Sequence, residues 1–370
     1  MEYFFLLPPS ITKDQDEIKI QRISLSINAK YKEKIMRFSG KFVSILSVFT
    51  FVPFLARAQS ASVINDYANI NGSVTLSVEK NDPQGGFNPI FHFDNKKEIS
   101  FMNVEITPRM EQKINYAYYF MLFRGGEKDY SRGIVRFSQS TNAVDLKMAN
   151  VPVLDQGRYG TCVTFSSTAA LDARFGIGDY VDQQCALALT KTLGNNYWNG
   201  AWTANDIIQP LKKYGIIAKN YCFGSKYPNP NQTVDINQYT KQSYKDFSDK
   251  IQTTNTRADL NAIRQALAAG HRVLIGFLYN SDFGATMINN DGSQATQNRG
   301  GLWACYQPQD TRNRCVRTNA GHEVIVIGYD DNQQLLKIRN SWSAEVGDNG
   351  DYYMTYNYFN AMTMDQTILY

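Results

Sequence analysis

The stretch Asp155-Gln156-Gly157-Arg158-Tyr159-Gly160-Thr161-Cys162-Val163-Thr164-Phe165-Ser166-Ser167 is the most informative in the chain. Gly157 and Gly160 bracket a tight loop. Small and apolar residues (Val163, Phe165, Ala169, Ala170, Leu171, Ala173) then follow on more than one helical face, which predicts a buried central helix. Cys162 opens that helix, where unpaired N–H groups and the helix dipole stabilise a thiolate. A single cysteine is more often an inert core residue, but a loop-flanked cysteine at a helix start is placed for nucleophilic chemistry. Gln156, six residues upstream, can aim its carboxamide N–H toward the thiol beside the Cys162 backbone N–H. Two such donors form an oxyanion hole.

A nucleophilic cysteine needs a base, and the chain has only three histidines, His92, His271 and His322. His322 lies in Gly321–Tyr329, a β-branched run that predicts a buried strand. Asp330–Gln333 reads as a turn, and Leu335–Asn340 as a second strand. With the turn centred on residue 331 and no bulge, His322 lies directly across from Asn340. An amide there fixes the imidazole tautomer and aims the other ring nitrogen at a nucleophile. Trp342 can shield that hydrogen bond from water. His271 and His92 have no such partner and read as structural.

At these residues the sequence resembles the papain-like cysteine peptidases. DQGRYGTCVTFS (155–166) resembles that family's Gln–Gly–x–Cys–Gly–Ser–Cys–Trp segment, GHEVIVIGYDD (321–331) its histidine strand, and NSWSAEVGDNGDYY (340–353) its Asn–Ser–Trp–Gly segment. VDQQCALAL (181–189), NGAWTANDIIQPLKKYGI (199–216) and LNAIRQALAAGHRVLIGF (260–277) resemble intervening family segments, in family order over about 141–370. The resemblance implies an α+β, two-lobed fold, with a helical lobe carrying the cysteine helix and a β-barrel-like lobe. It implies peptide-bond hydrolysis with Cys162 as nucleophile, His322 as base and acid, Asn340 as orienter and Gln156 as oxyanion donor. It places Gly200, Ala201 and Trp342 along the substrate-binding wall. No metal or other cofactor is expected, and the partners are protein or peptide substrates.

The sequence departs from the family in several places. Tyr159 and Trp198 stand where the family has a disulfide, which predicts an aromatic contact between them. Val163 replaces the tryptophan after the nucleophile. Glu323 follows the histidine and is expected to point to the other face of its strand, away from the site. With Cys162 free, Cys185, Cys222, Cys305 and Cys315 allow three pairings, of which Cys305–Cys315 and Cys185–Cys222 are favoured. The competing readings are a transglutaminase-like acyltransferase or amidase, an inactive binding module on the same fold, and a structural surface protein with a core cysteine.

Outward from this region, the 370 residues suggest two or three units, and 43% hydrophobic residues exclude disorder throughout. A net charge of +4, from 38 Lys+Arg against 34 Asp+Glu, is too weak to argue for nucleic acid. Phe42–Leu55 is apolar, preceded by Lys and Arg and followed by Ala56-Arg57-Ala58. That pattern predicts a secretory signal peptide cleaved after Ala58, too short for a stable membrane span, and hence a secreted protein. Met36 sits where such a peptide usually begins, so residues 1–35 are either an upstream start or a long leader. Residues 59–140 read as a β-rich segment with strands at Ser73–Val78, Pro89–Phe93 and Ile99–Ile106 and a helix over Met110–Phe123. This segment is expected to act as a pro-region that covers the cleft as an intramolecular inhibitor. Its cleavage is expected in the polar stretch Glu127–Ala143, ahead of a peptidase domain over 141–370.

Overall fold

The structure is a computed structural model, and it describes residues 63–80, 96–124, 134–136, 142–194, 200–223, 232–279, 286–288, 301–305 and 318–370. Residues 58–370 form one compact unit. The predicted leader, Pro89–Phe93, Trp198 and hence the Tyr159–Trp198 contact lie outside the described residues. No helix among those described is long and apolar enough to cross a membrane.

In chain order the elements are β1 (Ala68–Glu79), β2 (Lys96–Ile106), α1 (Pro108–Phe123), β3 (Ile134–Arg136), β4 (Ala143–Asp145), α2 (Cys162–Phe175), α3 (Gln183–Thr192), α4 (Ala204–Tyr214) and α5 (Ile236–Gln242). They continue with β5 (Thr253–Arg257), α6 (Leu260–Ala268), β6 (Val273–Leu278), β7 (Thr286–Ile288), β8 (Leu302–Trp303), β9 (Ala320–Asp330), β10 (Leu335–Arg339), β11 (Asp351–Thr355), α7 (Tyr356–Met362) and β12 (Thr363–Leu369). Helices α2 to α5 cluster in the first half of the 142–370 region. Apart from β7, the strands from β5 onward join one sheet in the order β5-β12-β6-β9-β10-β11-β8. This is the expected α+β arrangement of a helical part and a sheet part.

The helices start and stop where local chemistry dictates. Asp182 caps α3 by accepting from the Cys185 N–H at 2.8 Å, and Asp259 caps α6. α2 is buried along its length from Cys162 to Ala173 and ends at Gly176, whose φ of +66° is left-handed. α2 packs against β9, β6 and β12, so the cysteine helix lies against the strand that carries the histidine.

The β9–β10 hairpin differs in register from the expectation. Its turn takes four residues, with Asp330 paired to Leu335 and Gln334 in the left-handed region at φ +56°. A bulge then shifts the ladder between Lys337/Gly328 and Ile338/Val326. The ladder ends at Arg339↔Ile325, and Asn340 leaves it to donate its N–H to the Gly350 carbonyl. Asn340 is therefore not directly across from His322. It approaches the histidine diagonally, from further along the strand.

The N-terminal strands join the same sheet. β1 and β2 form an antiparallel hairpin, and β2 pairs with β9 at Met102↔Gly321 and Asn103↔Ala320. Leu278 of β6 pairs with Gly321 on the other side of β9, so β2 takes the edge that β10 leaves empty. β4 pairs with the far end of β9. Within the expected linker, β3 pairs in parallel with β7, so that stretch is not wholly irregular.

The pairing Cys185–Cys222 is not formed, because both are free thiols. Cys185 is buried on the core side of α3, whereas Cys222 sits half-buried in a turn beside Asp182 and Tyr239. Cys305 is disulfide-bonded, and Cys315 lies outside the described residues.

Candidate active site

Gln156 is held on three sides. Its backbone N–H donates to the Ser341 carbonyl at 2.9 Å, the Ser341 hydroxyl donates to Oε1 at 2.7 Å, and Nε2 donates to the Tyr159 carbonyl at 2.7 Å. A carboxamide has two N–H donors, so one remains after the bond to Tyr159. The bridge between Asp155 and Trp342 ties the glutamine loop to the segment after Asn340. Thr161, the residue before α2, makes no side-chain cap, so the helix's first N–H groups are not taken by one.

His322 donates through Nε2 to Asn340 Oδ1 at 2.8 Å. The same Oδ1 accepts the Ser341 N–H at 2.8 Å, which identifies it as the oxygen of the amide. Nε2 therefore carries the proton, and Nδ1, which has no hydrogen-bond partner, presents a lone pair. Trp342 stacks on the imidazole with ring centroids 4.5 Å apart, covering the His322–Asn340 bond. The Cys162 thiol lies against the backbone N–H of Glu323, the residue after the histidine. The structure thus joins His322 to Asn340, sets the Cys162 thiol against the backbone of the residue after His322, and ties Gln156 to Ser341, the residue after Asn340, although the hairpin register is not the expected one.

The site is closed. Cys162 and His322 are both 0% exposed. Burial pushes the Cys162 thiol up to about 12 and the His322 imidazole down to about 3. The expected stabilisation of a thiolate by the helix N-terminus is outweighed here, since the apolar surroundings favour the neutral thiol. Both groups are uncharged in this state.

What closes the site is β2. Phe101 is fully buried and packs edge-on against His322 and Trp342, each at 5.5 Å, and stacks on Tyr279 at 4.6 Å. The Ser100 N–H donates to the Arg158 carbonyl on the cysteine side at 3.0 Å, and the Val104 N–H donates to the Asn319 carbonyl on the histidine side at 2.7 Å. Lys97 reaches Asp155 at 2.5 Å and the Trp342 carbonyl at 3.0 Å. One strand is thus bonded to both walls of the site. Sequence reading placed a strand here but gave no sign that Phe101, Ser100 and Lys97 belong to the site, because a docking partner leaves no periodicity.

Gly200 adopts φ +64°, and a Cβ there would fall 2.6 Å from the Gly160 carbonyl oxygen. Its loop therefore approaches the cysteine loop as only glycine allows. Ala201 is buried beside it. Glu323 turns away from His322, as expected of the next residue on a strand. Its backbone N–H nevertheless lies against the Cys162 thiol.

A neutral thiol and a base with a free lone pair, beside two N–H donors, can generate a nucleophile and stabilise an oxyanion. The comparisons with known proteins agree with that chemistry. The family model described as papain family cysteine protease matches residues 138–370. Cysteine proteinase 2 of Entamoeba histolytica is 25% identical over 317 residues, covering 82% of this chain and 92% of its own length. Gamete and mating-type specific protein A of Dictyostelium discoideum is 28% identical over 215 residues, covering 57% of this chain and 42% of its own. Among solved structures, xylellain, a cysteine protease from Xylella fastidiosa, aligns with TM-score 0.45 and 23% identity, over 66% of this chain and 88% of its own. With the family match spanning most of the chain, this protein belongs to the papain family of cysteine proteases.

Proposed function

We propose that the chain is a secreted cysteine endopeptidase made as a latent zymogen, with residues 1–58 a leader, 59–140 a pro-segment and 141–370 the peptidase. The observation that carries the catalytic assignment is the unpartnered Nδ1 of a histidine whose Nε2 proton is held by Asn340, in the same site as the buried Cys162.

In the open enzyme, Nδ1 of His322 takes the Cys162 proton. The thiolate attacks the peptide carbonyl, and the oxyanion is held by the free Gln156 N–H and the Cys162 N–H, each lowering the barrier by about 3 kcal/mol. His322 gives its proton to the leaving amine as the C–N bond breaks, leaving a thioester. Water then loses a proton to His322 and attacks the thioester. The acid departs and Cys162 recovers its proton. Gly200 and Ala201 border the path of an extended substrate, and Trp342 keeps water from the His322–Asn340 bond.

Latency is supported by the contacts of β2 with both walls of the site, and secretion by the leader pattern at Phe42–Ala58. The oxidised state of Cys305 supports its pairing with Cys315. Incubation of the chain with a diverse peptide library, against a Cys162→Ala control, tests the reading. Cleavage lost in the control supports it, and full cleavage by the control overturns it.

A further inference from the structure

Strand β1 is the outer strand of the N-terminal hairpin. Among the described residues it pairs with β2 alone, and β2 pairs with β9 on its other side. From Ala68 to Val78 it carries no proline and no charged residue, the common means of blunting an exposed sheet edge. A bulge interrupts it between Ile70 and Ser73, and Glu79 ends it. Between these limits, Ser73–Val78 alternates strictly between hydroxyl and apolar residues. Ser73, Thr75 and Ser77 are exposed, and Val74 and Leu76 are only half-buried against the core.

Which backbone groups face the open edge follows from β2. The N–H groups of Ser100 and Val104 point away from β1, to the carbonyls of Arg158 and Asn319. Backbone directions alternate along an antiparallel strand, so Ile99 and Phe101 bond to β1 instead. Their partners there are Leu76 and Val74. Ser73, Thr75 and Ser77 therefore turn their N–H and C=O groups outward, where they have no backbone partner among the described residues. Such an edge accepts a further strand, and its pattern selects which one. Residues opposite one another in an antiparallel pair share a face, so a matching strand must alternate hydroxyl and apolar residues in the same phase. β1 itself does so. With Thr75 on a two-fold axis, Ser73 of one copy lies opposite Ser77 of the other, and Val74 opposite Leu76. Each outward-facing pair then exchanges two hydrogen bonds, and the half-buried apolar residues gain apolar neighbours.

We propose that the closed protein forms a two-fold dimer through β1, with the Ser73–Ser77 edges of two copies paired antiparallel about Thr75. The sheets of the two copies become continuous through their N-terminal hairpins. The pairing uses the same edge of both copies, so assembly stops at two. The bulge and Glu79 limit the ladder at its ends. The interface lies in the N-terminal segment and stands whether or not the site cleaves peptides.

The test is sedimentation equilibrium of the full-length protein over a micromolar-to-millimolar series. The wild type is expected to pass from monomer to dimer and no further. Thr75→Lys and Thr75→Glu each lose only an exposed hydroxyl contact with Ser100, at 3.1 Å, within the chain. Each variant alone is expected to stay monomeric, because the axis sets like charges face to face. Mixed in equal amounts, the two are expected to recover the dimer, since lysine then faces glutamate. A wild type that is monomeric throughout overturns the proposal and means that the edge is covered otherwise, as by the chain's own residues 81–95. Dimers that persist in both single variants, a mixture that stays monomeric, or assemblies that grow beyond two also overturn it. Thermal melting confirms that the variants are folded. Should neither fold, hydrogen exchange of the wild type decides. The amides of Ser73, Thr75 and Ser77 are expected to exchange more slowly as concentration rises, and rates independent of concentration overturn the proposal.

Discussion

Asn340 Oδ1 accepts two hydrogen bonds, from His322 Nε2 and from the Ser341 N–H. Replacing it with alanine leaves a buried imidazole N–H without an acceptor, a loss of about 2 kcal/mol. Asn340→Ala should therefore lower kcat by about 30-fold. KM should change less, because the amide touches the histidine and not the substrate. Steady-state kinetics on one good peptide checks both. Gln156 is a different case. It serves as donor and also ties its loop to Ser341, so Gln156→Ala should cost about 100-fold or more in kcat. Ser341→Ala leaves the donor in place but frees Oε1, and should cost less than either. The identities of these residues were legible because each chemistry needs a particular side chain near a particular neighbour. Ser341 was not singled out, since a serine hydroxyl bonded to an amide oxygen leaves no mark in spacing.

The secondary elements show where such reading stops. The alternating and β-branched runs placed β2 and β9 to within a few residues, and the helix read over Met110–Phe123 begins two residues earlier, at Pro108 behind the Thr107 cap. The register of β9 against β10 was not legible, because a four-residue turn and a bulge are alternatives that the pattern of apolar residues does not separate. The contact survived the error because positions 322 and 324 share a strand face, and the asparagine side chain spans the offset. The partnering of β2 with β9 was likewise hidden. It depends on an edge that exists only because Asn340 leaves the ladder. Phe101 has the largest role in that docking. Phe101→Ala removes a fully buried ring, a change that costs about 3–5 kcal/mol where the site does not collapse. The hairpin should then dock less firmly. With the thiol held at about 12, roughly one part in 10⁵ is thiolate at pH 7. Labelling of Cys162 by a peptide electrophile at pH 7 should thus be slow in the full chain and at least tenfold faster in Phe101→Ala. An equal rate in both would show that β2 does not control access.

Two buried sets of ionisable groups pull the whole protein's stability in opposite directions with pH. His322 is a base held down at about 3, against about 6.5 for a free imidazole. Between those values the unfolded or uncapped chain binds a proton that the closed one refuses, so closure weakens as pH falls below about 6.5. Glu323, Asp365 and Asp172 are acids pushed up, the last two to about 7. Burial is the first cause in each. For Asp172 it outweighs the N–H groups of Tyr180 and Val181 that its carboxylate accepts. Their contribution is fully present below about pH 4, where both folded and unfolded forms are protonated. It is lost as pH rises through about 7, where the folded protein must either give up those protons or keep them against solution. Thermal stability should therefore pass through a maximum on the acid side of neutrality and fall toward pH 8. Asp365→Asn removes one of the rising acids without changing shape, so its melting temperature should exceed that of the wild type at pH 8 and approach it at pH 5. A variant that melts below the wild type by the same margin at both pH values would mean that the carboxyl group contributes through its contacts and not through its proton.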